Sequence, residues 1–346
     1  MSELNLAYAG VLFAAGFVVT AIGVALFTRV SLRRGFFDVP NERSSHSTPT
    51  PRGGGLIIVL VTLAGYAVIG SCFALPISWG YIAGSMMVAA VSWLDDLYSV
   101  PFWGRLIVHI AAALILIQDV GFWSSFALPL VPNDIALGSL VGIVLTVGWL
   151  VWLLNAYNFM DGIDGIAALQ AVVAGSAWAV LASMLNLPAV FLFTGLLASS
   201  SAGFLLHNWQ PAKIFMGDVG SAFLGFTLAA VPLIARKELE SAASMLPVVA
   251  VLFVWFFVFD TVFTLIRRLL GRKRVWEAHR EHIYQRMVIH GKSHSTVTLT
   301  YGLAAALVAL LVVLGWHFSG IYPVLAFLSL IVLTAFGAYL GIRQNR

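Results

Sequence analysis

The sequence predicts an all-α, polytopic membrane protein: a transmembrane helical bundle of about eleven spans, N-terminus outside and C-terminus in the cytoplasm. Three observations carry this. The 346 residues are 60% apolar and only 10% charged, with a mean hydropathy of +0.96, whereas soluble domains carry about 25% charged residues. Apolar runs of about 20 residues, enough to cross a bilayer, recur from one end of the chain to the other. The connections between them alternate between basic and nearly uncharged.

Hydropathy sets the spans at about 5–28, 54–75, 78–94, 104–118, 136–156, 166–184, 188–206, 219–235, 243–266, 297–316 and 321–342. The first run, Leu6 to Phe27, has no basic residue ahead of it and no small-residue cleavage site, so it reads as a retained helix. The fourth is the shortest. Asp260 falls inside the ninth, where an unpaired acid would cost several kcal/mol, so it should face the bundle and have a partner. A single cysteine, Cys72, excludes a disulfide framework or a cysteine metal site within one chain.

The pI near 9.3 does not point to nucleic acid, because the basic residues follow the topology. All of the 19 Lys and Arg residues except Arg236 and Lys237 fall in one alternate set of connections or at the C-terminus. The positive-inside rule makes that set cytoplasmic. No repeat or soluble domain interrupts the chain. Residues 1–346 therefore form one membrane domain with cytoplasmic loops at about 29–53, 95–104, 157–165, 207–218 and 267–296.

Those loops hold the chemistry. The first runs from Asp38 through Arg43, His46 and Arg52 to Gly53-Gly54-Gly55. Backbone N–H groups at a helix start, flanked by basic side chains, suit an anion. An ordinary juxtamembrane loop meeting lipid headgroups is the alternative. Asp95 and Asp96 close the third span, at the helix end where the macrodipole disfavours acids. Their mutual repulsion calls for a cation or a shared proton.

At the end of the fifth span Asn155, Asn158, Asp161 and Asp164 recur every third residue, with Gly162 and Gly165 between and after the two acids. On a straight helix such a row drifts about 60° per step, so the glycines imply that the chain leaves helical geometry and lets the side chains converge. Oxygen ligands of this kind suit a hard cation such as Mg2+; a polar turn is the alternative. Phe215-Met216-Gly217-Asp218 leads into the eighth span, with Asp218 either a helix cap or part of a metal site and Lys213 nearby. In the last and most basic loop, Trp276 to Arg286 is predicted helical, with His279, His282 and Arg286 on one face. A pyrophosphate-binding face and an amphipathic helix in the lipid interface are the two readings.

Together and in this order, Thr48-Pro49-Thr50 with the glycines, Asp95-Asp96, Asn158 to Gly165, Phe215 to Asp218 and the His279–His282 segment resemble the polyprenyl-phosphate N-acetylhexosamine-1-phosphate transferases. That family includes initiators of O-antigen, enterobacterial common antigen and teichoic acid linkage synthesis, and phospho-N-acetylmuramoyl-pentapeptide transferase. The resemblance spans about residues 5 to 340. It implies an eleven-helix enzyme of the bacterial inner membrane, with its active site facing the cytoplasm. Such an enzyme moves a sugar-1-phosphate from a UDP-sugar to undecaprenyl phosphate, releasing UMP, as the first membrane step of a surface polysaccharide. It implies Mg2+, with Mn2+ as the alternative, and allows a homodimer.

By position, Asp218 and Asn158 resemble the metal ligands. Asp95 and Asp96 resemble the pair beside the lipid phosphate, and Asp161 and Asp164 the nucleotide-sugar and uracil site. Phe215 resembles the ring stacked on uracil. His46, Arg52, Asn155 and Arg280 are expected to bind the nucleotide sugar, and His279 and His282 to serve transfer. Muramoyl-pentapeptide transferases carry three consecutive histidines where this chain has His279-Arg280-Glu281-His282, which points away from that substrate. A CDP-alcohol phosphatidyltransferase is excluded because Asp164-Gly165 runs into Ile166-Ala167-Ala168-Leu169. A secondary transporter would place its polar residues at mid-membrane and show paired halves.

Overall fold

The computed structural model describes residues 6–40, 48–128, 131, 133–239, 243–273, 279–318, 334 and 337. The long helices are α1 (Leu6–Arg34), α2 (Gly55–Phe73), α3 (Trp79–Tyr98), α4 (Phe102–Val120), α5 (Gly138–Met160), α6 (Ile166–Met184), α7 (Pro188–Asn208) and α8 (Asp218–Glu238). They are followed by α9 (Leu246–Phe253), α10 (Trp255–Leu270), the short α11 (Ile283–Ile289) and α12 (His294–Phe318). The first ten expected spans thus have helices. The eleventh, 321–342, lies outside the described residues apart from positions 334 and 337, which are helical.

Eight of these helices are long and apolar enough to cross a membrane, or nine if α9 and α10 count as one broken span. The long helix left out, α3, carries Ser85, Ser92 and Asp96 buried inside the bundle, which lowers its hydropathy. Two short antiparallel ladders, Phe37–Asp38 with Thr50–Pro51 and Ser125–Phe126 with Ile135–Ala136, were not legible as strands in so apolar a chain.

The centre of the bundle is α8, which packs against α3 and α5 and buries every residue from Val219 to Ala235. At about 1.5 Å per residue its 21 residues span about 30 Å, close to the bilayer hydrocarbon thickness. One end of the bundle gathers Asp119, Ser78 and Lys237: Lys237 Nζ donates to Asp119 Oδ1 (2.7 Å) and Ser78 Oγ to Asp119 Oδ2 (2.7 Å). Arg236 joins them through Ser124 Oγ. These are the two cations that the sequence assigned to the sparsely basic side, and they sit at the end of α8 opposite Asp218.

The ninth span is not one helix. It breaks between Phe253 and Trp255, and the two halves bend by 71°. The break leaves helix carbonyls without partners, and Gln170 Nε2 of α6 meets that of Phe253 at 2.8 Å. Beyond the bend, α10 carries Asp260 into a buried polar cluster.

Candidate active site

Three loops converge at the N-terminus of α8. The glycine-rich segment is bonded to the Phe215–Asp218 segment through its backbone: Phe215 N donates to Pro51 O (2.8 Å), Gly54 N to Phe215 O (3.0 Å) and Gly55 N to Met216 O (2.9 Å). A side chain at residue 55 would collide with the Gly220 backbone, so α2 and α8 can start this close only as glycine against glycine. Two motifs far apart in the chain are thus one structural unit.

The Asp96 carboxylate, at the end of α3, caps α8. Its oxygens accept from Asp218 N and Val219 N, both at 3.1 Å, where unpaired N–H groups favour an anion. Arg52 donates to the Asp96 backbone oxygen and covers the Phe36 ring (5.1 Å to the centroid), while its Nε is buried with no hydrogen-bond partner among the described residues. Asp95 accepts from Val100 N (2.7 Å) and from the Arg105 guanidinium. Arg105 also lies 3.5 Å from Asp218 Oδ2, and the Asp218 carboxylate contacts the Asn158 side chain and the Asp95 carboxyl. Asp95, Asp96, Asp218, Asn158, Arg52 and Arg105 therefore form one cluster. In the sequence Arg105 is marked out only by being the lone cation of its loop, ten residues from Asp95.

The polar row at the end of α5 diverges. The helix stops at Met160, Asp161 follows in a non-helical conformation, and Gly165 takes φ +79° before α6. Asn155 bonds back to Val151 O (2.7 Å) on its own helix. Burial pushes the Asp161 carboxyl well above the usual range, and the charges of Asp218, Asp96 and Asp164 add to it. Asp164 faces away from the cluster: its Oδ2 accepts from Ala212 N (3.1 Å) and its Oδ1 lies 3.3 Å from His294 Nδ1. Thr298 Oγ1 closes on its carbonyl (2.8 Å). Asp164 thus ties the loop to α12 and to the segment before α8. Phe215 is half-buried and Lys213 exposed. His46, like Arg43 and Trp276, lies outside the described residues.

The expected helix from Trp276 to Arg286 is corrected: residues 279–282 are irregular and α11 begins only at Ile283. The reason is Asp260. Its Oδ1 accepts from Ile283 N (2.8 Å) and pairs with His282 Nδ1 (3.1 Å), and its Oδ2 accepts from Tyr284 N (3.1 Å) and Tyr301 hydroxyl (2.8 Å). A buried carboxylate satisfied so fully sets the start of α11. His282, 4% exposed, is the partner Asp260 requires, so it supports the loop from within.

His279 stacks on His282 (5.0 Å) and its Nδ1 accepts from Glu281 N (3.3 Å). Burial, helped by His282 and Arg268, pushes the His279 imidazole down to about 4. At neutral pH it is uncharged, and with Nδ1 accepting, its proton is on Nε2, where it can donate. Tyr284 crosses from α11 to the α5 loop, its hydroxyl donating to Phe159 O at 2.9 Å and lying where a Cβ on Gly162 would fall.

Among the described residues no three His, Cys, Asp or Glu side chains form a metal-holding group. A divalent cation that takes one or two carboxylates and completes its shell with phosphate oxygens and water needs no such group. The Asp218 carboxylate and the Asn158 carboxamide in contact with it, with two further carboxylates beside them, fit that kind of ion.

Residues 78–236 match the family described as Glycosyl transferase family 4. A Bacillus subtilis protein named "Probable undecaprenyl-phosphate N-acetylglucosaminyl 1-phosphate transferase" is 28% identical over 80% of this chain and 78% of its own length. A decaprenyl-phosphate N-acetylglucosaminephosphotransferase of Mycobacterium leprae is 28% identical over 78% of this chain and 74% of its own. A phospho-N-acetylmuramoyl-pentapeptide-transferase of Listeria monocytogenes is 26% identical over 87% and 97%.

Proposed function

We propose, from the premise that this chain belongs to glycosyl transferase family 4, that it transfers an N-acetylhexosamine-type sugar-1-phosphate from a UDP-sugar to undecaprenyl phosphate and releases UMP. The observation that carries this reading is the meeting of Asp218, Asn158, Asp95 and Arg105 at the capped start of α8.

In the reaction an oxygen of the lipid phosphate attacks the phosphorus that bears the sugar. The bond from that phosphorus to the bridging oxygen breaks, and UMP leaves with the electron pair. Phosphoryl transfer of this kind asks for positioning and charge neutralisation more than for covalent catalysis. Mg2+, with Mn2+ as the alternative, would be held by Asp218 and Asn158 and would supply neutralisation of the pyrophosphate charge.

The chain's own groups would do the rest. Arg105, anchored on Asp95, would meet a phosphate at the mouth of the cluster; Arg52 has a buried N–H still to satisfy. A phosphate monoester has its second pKa near about 6, so the lipid phosphate arrives mostly dianionic. Asp95 then orients a cation rather than removing a proton, and Asp96 holds the helix start. Neutral His279 would donate from Nε2 to a phosphate oxygen, with Arg280 beside it. Asp161 and Phe215 would line the nucleotide side, and His282 and Asp164 would position these groups from behind.

The His279-Arg280-Glu281-His282 order favours an N-acetylhexosamine donor over a muramoyl-pentapeptide one. We place the reaction at the cytoplasmic face of the bacterial inner membrane, as the first membrane step of a surface polysaccharide of the O-antigen type. The test is to incubate the purified chain with undecaprenyl phosphate, Mg2+ and a panel of UDP-sugars. UMP and a polyprenyl-pyrophosphoryl sugar should form from at least one N-acetylhexosamine donor. UMP from none of the panel would overturn the reading.

A further inference from the structure

We propose that a second site, a basic cleft at the end of α10, holds the phosphate headgroup of an anionic membrane lipid that is not the substrate. The cleft is an open hollow of about 500 Å³ between the last turn of α10 and the segment around α11. Arg267, Lys273, Arg280, Arg286 and His290 line it, and Glu281 is the one acid among its described lining residues.

That acid is already engaged. Glu281 Oε1 accepts from Arg268 Nη1 (2.6 Å) and Lys273 Nζ (3.0 Å), its Oε2 lies 3.7 Å from Arg267 Nη2, and its backbone oxygen takes a bond from Arg267. Four Arg and Lys side chains and one carboxylate line the hollow, an excess of cations among its described residues. Arg267 Nη1 is buried with no hydrogen-bond partner among the described residues. A guanidinium N–H enclosed among like charges is best satisfied by an anionic oxygen, and phosphate matches its geometry.

The rim selects the source of that phosphate. Ile289 lines the cleft and is 55% exposed; on the adjoining turn of α10, Leu269 is 56% and Leu270 81% exposed. Large apolar side chains standing free beside a recessed cluster of cations suit a molecule with acyl chains on one side and a phosphate on the other. Basic pockets at helix ends on the cytoplasmic side recognise lipid headgroups by this combination. A soluble nucleotide diphosphate would use the cations and leave the apolar rim in water.

The experiment uses the full chain in nanodiscs of phosphatidylcholine containing phosphatidylglycerol, read by native mass spectrometry for retained lipid and by turnover. Wild type should retain phosphatidylglycerol over phosphatidylcholine, and less of it at high salt. Lys273→Gln with Arg286→Gln should lower that preference at least about 5-fold, each cation near an anionic surface being worth roughly that factor. The KM for the UDP-sugar should move less than about 2-fold, since neither substitution alters Arg280, the one lining residue that the donor reading also uses. Lys273→Gln alone, at an exposed side chain, guards against misfolding of the double variant and should give a smaller loss of the same kind. Unchanged lipid preference in both variants would overturn the proposal. So would phosphatidylglycerol release by UDP-sugar together with a KM raised about 10-fold, which would make the cleft part of the donor site.

Discussion

Asp218 is the residue on which the cluster turns, because its carboxylate touches Asn158, Asp95 and Arg105 while its own N–H is held by Asp96. Asp218→Asn keeps the shape and the helix start but removes the charge a cation needs. Transfer should fall by about 10²–10³ or more, the scale of losing one electrostatic contact made at the transition state, while insertion and the thermal midpoint hold. Full turnover at limiting Mg2+ would take Asp218 out of the proposed metal site. His279 gives a pH prediction with a definite sign. Its folded value is about 4 against an ordinary value of 6.5, lowered first by burial. The neutral form is therefore favoured by folding, and the stability this gives is complete above about 6.5 and is lost as pH falls towards 4. His279→Gln should flatten the fall of the thermal midpoint between those pH values, as read by differential scanning fluorimetry in detergent. An unchanged slope would mean that His279 is solvated in the folded protein.

Between elements, the contact that matters most is the one the sequence hid. Tyr284 of α11 reaches Phe159 O and fills the space above Gly162, so the last loop is fitted to the end of α5. Gly162→Ala would place a methyl on the Tyr284 hydroxyl, and this should lower turnover about 10-fold or more by displacing α11. Adding Tyr284→Phe removes the obstructing oxygen and should restore part of the loss; a double variant worse than Gly162→Ala alone would show that the hydrogen bond outweighs the fit. Periodicity made the spans and the loop motifs legible, because apolar runs and clustered polar residues are local features. The bend between α9 and α10 was not, since 243–266 reads as one apolar run and the groups that meet the broken span, Gln170 at the Phe253 carbonyl and Ile283 N at Asp260, lie 83 and 23 residues away along the chain. For the same reason the partner of His282, a site candidate in sequence, was hidden: it pairs with Asp260, 22 residues away. Asp260→Ala would leave two helix N–H groups, Tyr301 and His282 without their acceptor. It should cost about 3–5 kcal/mol of stability, the range for breaking a buried pair by removing one partner, seen as a large drop in thermal midpoint.

At the scale of the whole molecule the two ends of the bundle differ in kind. One end has Lys237 and Arg236 bonded to Asp119 and Ser124, a closed set of polar contacts between helix ends. The other has the carboxylate cluster, the close approach of Gly55 to Gly220 and the basic cleft. A nucleotide sugar made in the cytoplasm can reach the second end only if that end faces the cytoplasm, and the distribution of basic residues predicts that it does. Ser293 tests this directly, because it is exposed in the turn between α11 and α12 and belongs to the same end as Asp164 through its neighbour His294. The single natural thiol, exposed Cys72 at the end of α2, must first be removed, since it belongs to the opposite end and would label from outside. In a Cys72→Ala background, Ser293→Cys should resist an impermeant thiol reagent in intact cells and react once the membrane is opened. Cys72 in the otherwise unaltered chain should react already in intact cells. Labelling of the Ser293→Cys variant from outside would invert the bundle, and with it the access of donor to Asp218.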